Sequence, residues 1–442
     1  MKRLIPFALL ALVILALTGC TSTASTHQGH PMAPQPLWTA SDDRDTIIVL
    51  SDLHLGIDDA YAEIAENRPY LVEFLRRVAV TADVREVVLG GDVLDEWFLP
   101  LSYDETDRRA FYRQVLVNNS DVVAACNEII ASGIKLVYVV GNHDMSVIGQ
   151  LIEDAMPGIV IASGPPGLGL YRTGARNEIV IEHGHRYDAF SAPDTITNAT
   201  LVDGPTMLPP GYFYARFAAD WVLKGKPAYV SALPMISRAP NPLEDPDQGG
   251  AYAYYRTLDA VFKPIVADDS FTTKLLNMHI DGYHGSYSVA DLFPVLTEDG
   301  EITAPLLYRH YQRTWQQRQI DNGVTNPASF IASALGAIDS RYFEQQARIQ
   351  YQVDEQSSDT AVVVFGHTHT PDLHDYGYGH YYVNSGTWIA DNTNYKEKDG
   401  SLLSRTFVVV TTAPVSEVEV YQYRPDGSLR LINELLQSDH RQ

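Results

Sequence analysis

Five short blocks along the chain set carboxylates, imidazoles and an amide at close spacing. They are Asp52-Leu53-His54, Gly91-Asp92-Val93-Leu94-Asp95, Gly141-Asn142-His143-Asp144, His183-Gly184-His185-Arg186 and Gly366-His367-Thr368-His369. Each follows a short apolar run, so each stands where a strand gives way to a loop. In an extended segment residues i and i+2 point the same way, which lets Asp52 with His54, or His367 with His369, face one site. Glycine beside such pairs allows a tight turn and a close approach to a ligand. A donor set of carboxylate, imidazole and amide without thiolate suits Mn, Fe, Zn or Ni more than copper(I), an iron–sulfur cluster or an all-oxygen calcium cage. Any block alone is a weak signal, but six of the 14 histidines (54, 143, 183, 185, 367 and 369) fall in these five, so a metal centre is the economical reading.

The elements that must carry these blocks are short β-branched runs at residues 46–50, 86–89, 135–140, 177–182 and 361–365. They read as buried strands with loops at their carboxyl ends, where sites on such sheets gather. Helix-like stretches at 61–80 and 105–131 separate the first three, so the expected fold class is α/β, beginning β, α, β, α. Residues 194–358 break this rhythm with the turns Leu208-Pro209-Pro210-Gly211 and Ala239-Pro240-Asn241-Pro242 and with aromatic helical stretches such as 212–223 and 251–262. They are expected to form a mainly helical insertion or lid. The core then comprises 43–193 and 359–425, closing with strands at 405–411 and 415–423 and followed by a C-terminal tail, 426–442.

The five blocks, in this order, resemble the signature of the calcineurin-like metallophosphoesterase superfamily: D-x-H, G-D-x-x-D, G-N-H-[DE], an H-G-H-like block and G-H-x-H. The resemblance covers about 43–194 and 359–423 and leaves the insertion outside. It implies a four-layer α/β/β/α sandwich and two divalent metal ions, with Mn, Fe or Zn expected. Asp52, His54, Asp92 and His369 would bind one ion, and Asp92, Asn142, His183 and His367 the other, with Asp92 bridging. The implied reaction is in-line attack on phosphorus by hydroxide activated between two cations roughly 3.5–4 Å apart. His143 would contact the substrate and protonate or stabilise the leaving oxygen, and Asp95 would orient it. Asp144 would support the neighbouring ligands or cap its loop, while His185 and Arg186 would bind phosphate or support the ligands. Residues 91–97 and His183-Gly184-His185 are also similar to the branch holding the bacterial UDP-2,3-diacylglucosamine pyrophosphohydrolases, which act at the cytoplasmic face and lack so long an insertion.

The 442 residues carry 32 Lys plus Arg against 55 Asp plus Glu, a formal charge of −23. Such a field repels nucleic acid, so no nucleic-acid groove is expected, whereas bound cations still permit a phosphate substrate. Residues 1–20 contain Lys2, Arg3, an apolar run over 4–17 and then small residues, the layout of a secretory signal rather than a spanning helix. Its end, Leu17-Thr18-Gly19-Cys20, resembles the lipobox of bacterial lipoproteins, which implies cleavage before Cys20 and a lipid on its sulfur. Residues 21–42, rich in Ser, Thr, Pro and Ala, then read as a flexible tether. This places the protein outside the cytoplasm, lipid-anchored to a bacterial membrane and facing the periplasm or exterior. Cys126, beside Val123-Ala124-Ala125, reads as packing on an apolar helix face.

The expected function is therefore a metal-dependent phosphoesterase acting on a phosphorylated small molecule or a lipid-linked phosphate. A binding lipoprotein that retains a quiet metal site is the rival from another class. His143 and Asp95, which would serve turnover rather than metal retention, speak against it.

Overall fold

Three β-branched runs lie parallel at the centre of the fold and are buried along nearly their whole length, which is why they read as continuous apolar stretches rather than alternating ones. The computed structural model describes residues 33–439, apart from 42, 163, 230–232, 234, 338, 398 and 413–415. Cys20 and the whole signal-like segment lie outside the described residues. The strands in chain order are β1 (Thr46–Leu50), β2 (Val84–Gly90), β3 (Lys135–Val139), β4 (Val160–Ile161), β5 (Leu170–Thr173), β6 (Ile179–Glu182), β7 (Leu276–Met278), β8 (Gly285–Tyr287), β9 (Val362–Phe365), β10 (Asp372–Gly377), β11 (His380–Asn384), β12 (Thr406–Thr411), β13 (Glu417–Tyr423) and β14 (Leu429–Leu431). The α-helices are α1 (Arg68–Ala79), α2 (Arg108–Asn118), α3 (Ser120–Ala131), α4 (Gly149–Ala155), α5 (Pro210–Leu223), α6 (Pro246–Phe262), α7 (Tyr311–Asp321), α8 (Phe330–Gly336), α9 (Ser340–Tyr351) and α10 (Asn433–Asp439). The fold is mixed α/β. Among the described residues no helix is long and apolar enough to cross a membrane.

The strands form two main sheets. One has the order β14-β13-β12-β1-β2-β3-β4, with β1 to β4 parallel and the other half antiparallel. The other has the order β10-β11-β9-β6-β5, in which β9 runs parallel to both β6 and β11. Pleat alternation sends Ile47, Val49, Val88, Val137 and Val139 to one side, where they meet Ile179, Ile181, Val362 and Val364 of the smaller sheet. Ile48, Leu50, Val87, Leu89 and Leu136 point the other way, onto Leu71, Phe74 and Leu75 of α1 and Cys126 and Ile129 of α3. Val180, Val363 and Phe365, on the remaining face of the smaller sheet, pack on Phe343 and Ala347 of α9.

Several boundaries differ from the sequence pattern for local reasons. The first helix begins at Arg68 rather than 61, because Pro69 sits in its first turn and residues 58–67 form turns of their own. The stretch 105–131 is two helices: Asp107 caps α2 by accepting from the Ala110 N–H at 3.1 Å, and Asn119 breaks the run. Of the expected tether, residues 35–41 lie against the core. Leu37 is buried, its N–H donates to Thr81 Oγ1, and the Trp38 indole donates to Asp83 at 3.0 Å. Two large apolar side chains anchor a stretch whose composition reads as flexible.

Residues 194–358 hold α5 to α9 and the β7–β8 hairpin, and they are not set apart: the chain from Gln35 onward is one compact unit. The aromatic side chains Tyr212, Phe213, Tyr254 and Tyr311 join the same apolar cluster as α1 and α3. Buried Arg216 of α5 donates to the carbonyls of Leu99 (2.8 Å), Pro100 (3.2 Å) and Tyr103 (2.6 Å). Near it, Arg108 stands 3.6 Å from both Glu96 and Glu105 and 3.8 Å from Asp281 of the hairpin loop, so a buried charge cluster joins core and insertion.

Burial and the charge of Glu96 raise the Glu105 carboxyl from 4.5 to about 7 against the pull of Arg108. The folded state then holds a proton that the unfolded chain releases, so the stabilisation present at acid pH is lost as pH climbs from about 4.5 through about 7. Glu105→Gln should match the wild type in thermal melts near pH 4 and exceed it above pH 7. Parallel melting curves across that range would contradict the assignment.

Candidate metal centre

Asp52 and His54 follow β1, Asp92 and Asp95 follow β2, Asn142 and His143 follow β3, His183 follows β6, and His367 and His369 follow β9. Parallel pairing aligns these strand ends within each sheet, and face-to-face packing of the sheets brings the loops to one place. His369 Nε2 lies 3.1 Å from His54 Nε2 and 3.2 Å from Asp52 Oδ1. His183 Nε2 lies 3.1 Å from both Asp92 Oδ2 and Asn142 Oδ1, and His367 Nδ1 is 2.9 Å from the same amide oxygen. Two groups that contain Asp92 result, Asp52, His54, Asp92 and His369, then Asp92, His183 and His367, each with candidate ligand atoms within 4.8 Å of one another; a third such group, His54, Asp95 and His143, adjoins the first. Asp92 is common to the first two, and Asn142 adjoins the second.

The hydrogen bonds on the outer sides of the rings say what these inner atoms can be. His183 Nδ1 lies 3.0 Å from the Gly90 carbonyl, which only accepts, so that nitrogen carries the proton. His54 Nδ1 faces Asp95 Oδ2 at 2.9 Å, and His367 Nε2 faces Asp188 Oδ2 at 3.1 Å. With the outer nitrogens donating, the inner nitrogens of the neutral rings present lone pairs to carboxylate and amide oxygens, an arrangement that cations could bridge. Without metal, protons would take that role. Burial opposes a charged ring, yet Asp95 and Asp92 carry His54 up to about 10, and Asp92 with Asp52 carries His183 to about 9. Divalent ions would displace those protons.

The paired residues converge, although not through pleat alternation. Asp52 (φ 54°), His54 (φ 50°), Asp92 (φ 51°), His367 (φ 72°) and His369 (φ 56°) all have left-handed backbone. Asp and His enter this region more readily than most side chains, at a cost of about 1–3 kcal/mol each when held there. The surroundings hold them: Leu53 N and His54 N donate to Asp92 O at 2.9 and 3.0 Å, and Trp388 N and Thr387 Oγ1 donate to Asp52 O. His143 N donates to Asp92 Oδ1 at 2.8 Å, and Asn392 Nδ2 donates to His369 O. Asn384 bridges Gly366 O and Gly386 N, fixing the turn beside the last histidine pair.

Asp95 stands between two imidazoles, 2.9 Å from His54 and 2.8 Å from His143, and accepts from the N–H groups of Trp97 and Phe98. Burial would raise its pKa, but the charge and hydrogen bonds of His143 and His54 keep it ionised, well below the usual carboxylate range. His143 is partly exposed over the Trp97 ring, and Asp95 and Asp92 raise its pKa against burial. Its Nδ1 faces Asp95, so Nε2 is the atom turned toward other partners.

Asp144 accepts from Gly141 N (2.6 Å), Val93 N (2.8 Å) and Tyr138 Oη (2.5 Å), tying together the loops after β2 and β3. His185 donates from Nε2 to Gly167 O, and burial together with the nearby His183 and His367 keeps it neutral. Arg186 is buried and engaged by Glu182 and the Asn322 carbonyl, within the fold rather than at the centre. The sequence reading missed Asp188, and Glu63, whose carboxylate lies 3.8 Å from His54 Nδ1. Asp188 was within reach as a carboxylate five residues past His183, after the same strand.

Residues 46–223 match the family model described as calcineurin-like phosphoesterase, a span that includes Asp52, His54, Asp92, Asn142 and His183. Comparison with curated proteins returns no match. Among solved structures, a dimetal phosphatase from Danio rerio aligns over 88% of this chain and 96% of its own at 10% identity and a TM-score of 0.32. The protein TT1561 of Thermus thermophilus aligns over 86% and 99% at 9% identity and a TM-score of 0.28. A cold-active protein-tyrosine phosphatase of a psychrophilic Shewanella species aligns over 91% and 84% at 10% identity and a TM-score of 0.27.

The loops approach one another so closely that a Cβ on Gly141 would fall 2.1 Å from Asp92 Oδ1 and 2.2 Å from Asp92 N. Gly141→Ala must therefore displace the carboxylate shared by both groups. It is expected to lower the melting temperature, as overpacking costs about 1–3 kcal/mol, and to reduce metal uptake in elemental analysis. A variant that melts and loads like the wild type would show that Asp92 is not so confined.

Proposed function

We propose that this chain is a hydrolase of phosphoesters that works with two divalent metal ions. The observation that supports this most is the convergence of Asp52, Asp92, Asn142 and the inner nitrogens of His54, His183 and His367 while the outer ring nitrogens face acceptors of their own. The phosphoesterase family match over residues 46–223 gives that arrangement its reaction class. Asp52, His54, Asp92 and His369 would hold one ion, and Asp92, Asn142, His183 and His367 the second. Bound there, the pair would supply Lewis acidity toward phosphate oxygens and lower the pKa of an attacking water.

The remaining chemistry falls to His143 and Asp95. Asp95 accepts from Nδ1 and favours the protonated ring, leaving Nε2–H to donate to the departing oxygen. Trp97, packed 4.8 Å from the ring centroid, restrains the imidazole and excludes water from one side. The substrate is a phosphorylated small molecule or a lipid-linked phosphate, and attachment through a lipid on Cys20, outside the cytoplasm, would bring membrane-borne phosphates within reach. The similarity of residues 91–97 to the UDP-2,3-diacylglucosamine pyrophosphohydrolase branch makes phosphoanhydrides part of the same reading.

With Mn2+ added, the purified protein is expected to hydrolyse a generic aryl phosphate mono- or diester. His143→Ala should reduce turnover by about 10²-fold or more while both ions stay bound. Full activity in that variant would remove His143 from the mechanism. Two bound ions with no turnover across a panel that includes lipid phosphates and a pyrophosphate would identify a binding protein instead.

A further inference from the structure

The geometry points to Asp188 as the positioning residue of the second metal site, and to the 194–358 segment as the element that holds Asp188 in place. This rests on the two-metal reading above. His367 offers two nitrogens, Nδ1 toward Asn142 Oδ1 at 2.9 Å and Nε2 toward Asp188 Oδ2 at 3.1 Å. Only the tautomer with the proton on Nε2 leaves a lone pair on Nδ1 for a cation, and a carboxylate facing Nε2 selects that tautomer. The carboxylate is itself fixed: Oδ1 accepts from Phe190 N at 2.8 Å and Oδ2 from Ser191 Oγ at 2.8 Å.

The chain around Asp188 is gripped from the insertion. Tyr342 Oη donates to Tyr187 O at 3.0 Å, Tyr311 Oη donates to Ala189 O at 2.5 Å, and Asn322 Nδ2 donates to Pro193 O at 3.1 Å. Phe343 of α9 packs 5.4 Å from the His367 ring. Helices that supply no ligand therefore set the orientation of a ligand, through three carbonyls and one carboxylate.

Asp188→Asn tests this without a change of size. Phe190 N–H keeps an oxygen at the Oδ1 position, so the new NH2 faces His367 Nε2, which must then accept, and the ring proton moves to Nδ1 where the ion should bind. Titration of the metal-free full chain with Mn2+, followed by calorimetry, should show two ions in the wild type. In Asp188→Asn one of the two should bind roughly 10–100-fold more weakly, with the other unchanged and the metal-free melting temperature retained. Nitrogen NMR of the His367 ring in the metal-free protein should report the exchanged tautomer. Tyr342→Phe, which removes the hydroxyl that donates to Tyr187 O, should weaken the same ion by a smaller factor. Wild-type affinity for both ions in Asp188→Asn would overturn the proposal. So would equal weakening of both with a lowered metal-free melting temperature, which marks a merely structural role. A wild type that binds no second ion would instead refute the two-metal reading itself.

Discussion

Asp52 and Asp92 are fully enclosed; Ser51 Oγ and the His367 N–H donate to Asp52 and the His143 N–H donates to Asp92. Ring nitrogens of His369 and His183 stand 3.2 and 3.1 Å from the same carboxylates, with the Asn142 amide oxygen 3.1 Å from the latter ring. Electron pairs crowded together away from water repel, and that repulsion must be answered by positive charge placed among them. Everything around the centre keeps the crowding in register. Asp95, Asp188 and the Gly90 carbonyl take the outer protons of three imidazoles, so that each ring can turn a lone pair inward.

Holding that arrangement also costs backbone energy. Of the expected ligands, Asp52, His54, Asp92, His367 and His369 sit in left-handed conformations, which survive because neighbouring loops bind their carbonyl and N–H groups from several directions. Asp144 staples the loops after β2 and β3 from beneath, and Asn384 and Asn392 brace the last histidine pair. The sheets supply the rigid platform beneath these loops, and their apolar interiors explain why so much polar strain can be concentrated at one edge.

The residues of the candidate centre and their placement at strand ends were legible in the sequence because metal chemistry restricts residue choice and parallel strands restrict position. Asp52, His54, Asp92, Asn142, His183, His367 and His369 could each be picked out as a polar residue closing an apolar run. The reason Asp52 and His54 converge was not legible: i, i+2 spacing suggests a pleat, whereas the chain makes a left-handed turn set by contacts with Asp92 and Thr387. Asp188 escaped for a related reason. It lies in no spacing pattern, and its value comes from a partner 179 residues away. The burial of Leu37 and Trp38 was likewise hidden, since composition averages over single anchoring side chains. The division of the strands into two sheets depends on pairings such as β6 with β9, which span the whole insertion.

That separation along the chain has a consequence in time. His54 and His369 are 315 residues apart, so the first candidate metal site does not exist until nearly the entire chain has been made and its two sheets have closed on each other. A nascent chain has the individual residues but no site, and long-range closure is among the slowest steps of folding. Any cation held there would thus be acquired only once folding finishes. A metal taken up in this way would record the ion supply at the moment of closure rather than during synthesis.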